Sequence, residues 1–398
     1  MSTTQRQSGA VSLFMVIFAM LLMSVVTISF LRIMTNDQNQ ASGNDLAQSA
    51  YDSAEAGVED SKRALVWYIQ QCKSGNAAAC ATARTAISST ECNRAIRAAN
   101  GWTSSNGEIK VQQSSVVDEG TGQSIDQALD QAYTCATIKL DTDDFLASVS
   151  ADQSILIPLS GKTPFNTVNV QWFSEDDLSS AGARAAPDTS STNPKYLLTR
   201  ATWPTNRPAV LRTQFMQVGA NFKLTDFDST TATSQSNTNT VFLYPSTTGV
   251  SSTELTQRDV RANAAGDSAP AGSNSAPLPT RCVAAIPSGG YSCSVTLTLP
   301  NPVGASDRSN ATAFLRLTSF YVGTHVRVTL GGTQFNGVQP IVDSTGRAND
   351  VFRRVESRID LYDTTMFPYP EAAVDVSGDL CKDFGITDTK YLPGSCTP

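Results

Sequence analysis

The sequence predicts an α+β protein. One long N-terminal helix, transmembrane then amphipathic, packs on an antiparallel β-rich extracytoplasmic head stapled by disulfides. Three observations carry this expectation. Residues 10 to 31 form an uncharged apolar run. A helical repeat of small and apolar residues follows it. From Tyr133 onward the pattern changes to short runs of period-two alternation, the signature of strands with one buried face.

Composition narrows the function classes. The chain has 398 residues and a formal net charge of −7. That balance argues against nucleic acid as a partner, because a polyanion is bound by basic patches. An apolar fraction of 40% is too high for a disordered chain, and the length is enough for a sizeable core. The single histidine, His325, sits in the alternating run Thr324–Leu330, which gives it a structural or solvent-facing role. One histidine leaves little for a hydrolytic triad or a zinc site. No Gly-x-Ser-x-Gly elbow, His-Glu-x-x-His helix or lysine-bearing phosphate loop occurs. The chain therefore reads as a non-enzyme with no cofactor. Eight cysteines, even in number and without Cys-x-x-Cys pairs, favour disulfides and an oxidising compartment.

The elements follow in order. Residues 1–9 are a polar leader. Ala10–Leu31, AVSLFMVIFAMLLMSVVTISFL, would span about 33 Å as a helix, enough for bilayer hydrocarbon. The run is longer than a signal-peptide core, and Ser29–Met34 offers no small-x-small cleavage site. Residues 10–34 therefore read as a retained anchor. Only nine residues precede it, so the bulk of the chain lies on one side, and paired cysteines place that side outside the cytoplasm. Thr35–Asn44 is polar with poor helix propensity, so the helix should weaken around Gly43. Leu46, Ala50, Ala54, Gly57 or Val58, Ser61, Leu65 and Tyr68 then recur at three- or four-residue spacing. They predict an amphipathic continuation over 35–73 with a narrow small-residue stripe, ending near Gln71–Gly75.

This opening resembles the type IV pilin family. The residues that carry the resemblance are the leader ending Arg6-Gln7-Ser8-Gly9, the apolar segment beginning Ala10-Val11-Ser12-Leu13-Phe14, and the alanine-rich, acid-bearing continuation from Ser49 to Glu59. The resemblance covers about the first 70 residues. It implies cleavage by a prepilin peptidase between Gly9 and Ala10, and a helix that anchors in the membrane or packs in a filament core. It also implies other pilin-like subunits as partners, docked through that helix with its small residues Ala10, Ser12, Ala19 and Ser24 at the approach. The chain departs at the fifth mature position, where most pilins carry a Glu that meets a neighbour's N-terminal amine; here it is Phe14. Within the family that absence is typical of a subunit capping the tip of a type II secretion pseudopilus. The expectation is a minor or tip subunit, possessing an exposed head that binds neighbouring subunits or a surface ligand. The alternative is a single-pass anchored surface adhesin with an unprocessed N-terminus and no filament role.

Residues 74–132 read as short helices and loops, with helical pieces around Cys80 and after Ser88-Ser89-Thr90 and a further turn in Ser124–Ala132. Residues 133–398 read as the β-rich head. Its clearest strands are Tyr133–Leu140, Ser154–Leu159, Thr167–Phe173, Ala209–Val218, Asn239–Tyr244, Tyr291–Leu299, Ala311–Tyr321, Thr324–Leu330 and Val351–Leu361. Polar or low-complexity loops are expected at 228–240 and 262–279. Cys282 and Cys293 flank a Pro-Ser-Gly-Gly turn signal and are expected to pair across strands. Cys72, Cys80, Cys92 and Cys135 leave two further pairs with three possible connectivities. Cys381 and Cys396 close a C-terminal loop of about sixteen residues, which resembles the C-terminal disulfide loop of many type IV pilins.

Three acidic groupings are weighed as calcium sites, with support from the resemblance, since some pseudopilins bind calcium. They are Asp141, Asp143 and Asp144; Asp226 and Asp228; and Asp375, Asp379 and Asp383, the best of the three. None matches the twelve-residue calcium loop with its terminal Glu, and the reading is that the chain holds no metal.

Overall fold

The computed structural model describes residues 10–101, 107–111, 130–189, 198, 200–217, 238–255, 277–306 and 311–360. Three helices open the chain: α1 (Ala10–Lys73), α2 (Ala77–Ile87) and α3 (Arg94–Asn100). The strands that follow are β1 (Ile109–Lys110), β2 (Ala132–Thr142), β3 (Phe145–Val149), β4 (Ser154–Pro158), β5 (Phe165–Ser174), β6 (Val210–Gln217) and β7 (Thr238–Ser246). After them come β8 (Ser252–Glu254), β9 (Leu278–Arg281), β10 (Tyr291–Val303), β11 (Ala313–Phe320), β12 (Thr324–Leu330), β13 (Phe335–Ala348) and β14 (Val351–Arg358).

Helix α1 is continuous over 64 residues. The weakening expected around Gly43 does not appear. One glycine costs about 1 kcal/mol against alanine, less than renucleating a helix on its far side. Gly75 follows the helix at φ 76°, in the left-handed region that only glycine enters freely. Gly101 ends α3 the same way, its amide donating to the Arg97 carbonyl.

The described chain forms two compact units. The first contains α1 through Gln71, residues 78–138 and residues 342–357. Its sheet runs in the order β1-β2-β13-β14, and one face receives the second half of α1. Asn93 braces this unit. It sits at φ 62° before α3, and its side chain donates to the Gly107 and Thr134 carbonyls and accepts from the Ala136 amide at 2.8 Å. No polar atom of this buried amide is left unpaired, as burial requires.

The second unit is built on residues 139–341. Two five-stranded sheets, β3-β12-β5-β10-β8 and β4-β11-β6-β7-β9, turn their apolar positions toward one core. Val168, Val170 and Trp172 of β5 alternate inward as predicted, with Val326 and Val328 of β12 beside them. Leu211 and Phe215 of β6 and Leu315 and Leu317 of β11 come from the other sheet. Trp172 is fully buried, and its indole N–H reaches the Ala209 carbonyl at 3.0 Å. Trp is admitted to a dry core on that condition.

Two differences from the sequence reading concern the sheets. β10 pairs with β8, and β7 with β9, in parallel, so both sheets of the second unit are mixed instead of purely antiparallel. The ends of the two polar stretches also belong to strands: β7 starts at Thr238 and β9 at Leu278. Residues 228–237 and 262–276 of those stretches, and residues 124–129 of the expected helical turn, lie outside the described residues.

Candidate functional site

The functional feature assembled most clearly is α1 itself, because its surface changes character along its length. From Phe14 to Met34 every large apolar side chain is between 48% and 75% exposed. The helix is long and apolar enough to cross a membrane. Between Phe14 and Met34 its three hydroxyls are satisfied within the helix: Ser24 donates to the Leu21 carbonyl, Thr27 to Met23 and Ser29 to Val25, each at 2.8 Å. A helix that satisfies its own polar groups is the one kind that tolerates hydrocarbon around it. Phe14, the residue standing where the resemblance expects a Glu, is 75% exposed. Ala10 begins α1, and Gly9 lies outside the described residues.

From Ala50 the stripe is buried. Ala50, Ser53, Ala54, Ser61, Ala64 and Leu65 are all fully covered. Small residues are required here because the sheet approaches to backbone distance. A Cβ placed on Gly346 of β13 would lie 2.2 Å from both the Ala50 carbonyl oxygen and the Ala54 amide nitrogen. Gly57 faces the sheet from the helix side, against Ser344 and the Tyr133 ring. A buried polar contact fixes the rotation of the helix: the Tyr133 hydroxyl donates to Asp60 Oδ2 at 2.8 Å, and Arg63 holds Oδ1 at 3.0 Å. Burial first, and the Asp60 carboxylate second, push the Tyr133 hydroxyl well above the ordinary phenol value.

The residue of β13 next to Gly346, Arg347, carries an ion cluster. Arg347 of β13 bonds Glu108 Oε2 and Asp130 Oδ2, each at 2.8 Å, and Lys110 of β1 also reaches Asp130. Hydrogen bonds from Lys110 and then Arg347 hold the Asp130 carboxyl below its usual range.

The cysteines form bridges. Cys92 is bonded to Cys135 and Cys282 to Cys293. Cys72 and Cys80 are also disulfide-bonded. Among the three connectivities open at the outset, Cys92–Cys135 selects one. Cys381 and Cys396 lie outside the described residues.

The acidic grouping at Asp141, Asp143 and Asp144 is taken up by ion pairs. Asp141 pairs with Lys162 at 3.2 Å, Asp143 with Lys139 at 3.1 Å, and Asp144 with Arg327 and Arg358 at 2.9 and 2.8 Å. Carboxylates each committed to their own cation do not converge on a metal, and no group of three metal-ligating side chains forms among the described residues. Asp226, Asp228, Asp375, Asp379 and Asp383 lie outside them.

His325, read as structural or solvent-facing, does something more specific. Its Nδ1 is 2.7 Å from Asp177 Oδ1. The ring lies on a cavity with Leu146, Ser174, Glu175, Asp176 and Tyr291. Neither Asp177 nor this cavity was visible in the sequence, because the partners stand 148 positions apart. Ser174-Glu175-Asp176-Asp177 does carry a capping-box pattern that could have flagged the turn.

Comparison with family models, curated proteins and solved structures gives no match.

Proposed function

We propose that this chain is a structural component of a type IV pilus or a related type II secretion-like filament, acting as a minor or tip subunit. Its N-terminal helix anchors in the membrane or in the filament core, and its disulfide-bonded head is displayed outside the cytoplasm. The reading rests on one observation: α1 leaves an apolar surface from Phe14 to Met34 exposed and seals its small-residue stripe from Ala50 onward against a sheet. An exposed apolar surface of that length calls for a lipid or protein partner. The resemblance of the opening residues supplies the filament, the prepilin peptidase and the pilin-like neighbours.

The departure at Phe14 favours the tip position within this reading, and it also keeps a second reading in view: a single-pass anchored surface adhesin outside any filament. Mass spectrometry of the native protein separates the two. A mature N-terminus at Ala10, with the protein present in sheared filaments, is the expected result. An intact N-terminus confined to membrane fractions would overturn the filament reading in favour of the adhesin.

A further inference from the structure

A second site lies in the β-rich unit, at the end of the sheet where β3, β12, β5 and β10 come together. It is a cavity of about 370 Å³ lined by Leu146, Ala147, Ser174, Glu175, Asp176, Gly289, Gly290, Tyr291, His325 and Val326. Its apolar walls are Leu146 and the Tyr291 ring. Its mouth is acidic.

The turn that holds the mouth is fixed from within. Ser174 caps the 3-10 turn Glu175–Asp177, its hydroxyl accepting from the Asp176 amide. Asp177 accepts from the Ser174 amide at 2.8 Å and from the His325 amide at 3.0 Å. Its side chain is only 7% exposed. A carboxylate so placed can only accept, so the proton between it and His325 resides on Nδ1. In the neutral ring, Nε2 is then left as an acceptor. The side chains of Glu175 and Asp176 are exposed, and neither is ion-paired among the described residues. Arg327 and Arg358, whose charges are felt at Tyr291, are both held by Asp144. Burial raises the Tyr291 hydroxyl and keeps it a neutral phenol.

We propose that this cavity takes a lysine side chain presented by a partner protein. The aliphatic stem fits the apolar walls. The ammonium head has three donors and no acceptor, which matches three separate acceptors in Glu175, Asp176 and His325 Nε2. A guanidinium fork favours a single coplanar carboxylate instead.

The lone histidine makes the test direct, because selective ¹³C labelling of histidine in the full chain, held in detergent, gives one ring signal. Nα-acetyl-lysine methylamide is titrated at constant, mildly alkaline pH. The expected result is a saturable shift of that signal. The Nε-acetylated derivative and the arginine analogue should bind at least about tenfold more weakly. Glu175→Gln combined with Asp176→Asn changes two exposed side chains without touching the cap, so the melting temperature should hold while lysine affinity drops by about tenfold or more. A missing shift, an equal response to either analogue, or unchanged affinity in the double variant would overturn the proposal. None of these outcomes depends on whether the N-terminal helix enters a filament.

Discussion

At Gly346 the contact between helix and sheet is backbone against backbone. A Cβ there would meet the Ala50 oxygen, the Ala54 nitrogen and the Ser53 carbonyl carbon at 2.2, 2.2 and 2.7 Å, and none of these can swing aside. Gly346→Ala is therefore expected to lose on the order of 3 kcal/mol, at the upper end for overpacking, as measured by urea unfolding of the chain in detergent. Gly57 is a different case. A Cβ there meets Ser344 Oγ at 2.3 Å and the Tyr133 ring at 3.1 Å, which are side-chain atoms. Ser344 Oγ is also buried without a hydrogen-bond partner. Ser344→Ala should then be neutral or stabilise by up to about 1 kcal/mol. It should also relieve part of the loss caused by Gly57→Ala, giving a coupling of at least ~0.5 kcal/mol in a double-mutant cycle; additive effects would show that the hydroxyl is not the obstacle. The helical stripe through Ala50, Ala54 and Gly57 was legible from spacing alone. Asp60 was not: its bond to Tyr133 lies 73 positions away and leaves no local pattern.

Among the elements, the strands with clean alternation were legible, and β13 was not. Phe335–Ala348 contains Gly337, Pro340 and Gly346, residues that ordinarily punctuate strands. Gly337 adopts φ 67°, and Gly346 lets α1 dock. What hid the strand is what suits it to its place. The parallel partners β8 and β9 are only 3 and 4 residues long, too short for a periodicity to register. The ion cluster joining β1 and β13 predicts a pH response. The Asp130 carboxyl is held below its unfolded value by Lys110 and Arg347. Its contribution is thus present above the ordinary carboxylate pKa of about 3.9 and is lost as pH falls through the lowered folded value. Asp130→Asn should melt below the parent at neutral pH, and the two curves should converge in strong acid. A constant gap across that range would mean the carboxylate charge is not what matters. For α1, the prediction concerns its exposed half. Removing residues 10–34 should leave the melting temperature of the remainder unchanged and make the chain soluble without detergent, because the large apolar side chains from Phe14 to Met34 are all exposed. A collapse of the fold on truncation would show that the segment supports it.

On the scale of the whole molecule, the separation of a lipid-like segment from a covered body was legible in the charge-free run and the stripe that follows it. The division into two units was not, since period-two alternation reads the same in both and carries no record of which strands share a sheet. The small-residue stripe of α1 in the first unit is covered by β13 residues from Val342 onward, while residues 139–341 form the other unit. That order has a consequence in time. The stripe from Ala50 to Ser61 is made early, yet the glycine it packs on comes about 290 positions later, on the order of tens of seconds at ordinary rates of synthesis. Throughout that interval the face of the helix at Ala50, Ser53 and Ala54 lacks the β13 glycine that closes on it. Nascent protein stalled before residue 342 should for this reason be the form most prone to off-pathway association, and the form that a holding chaperone would need to meet.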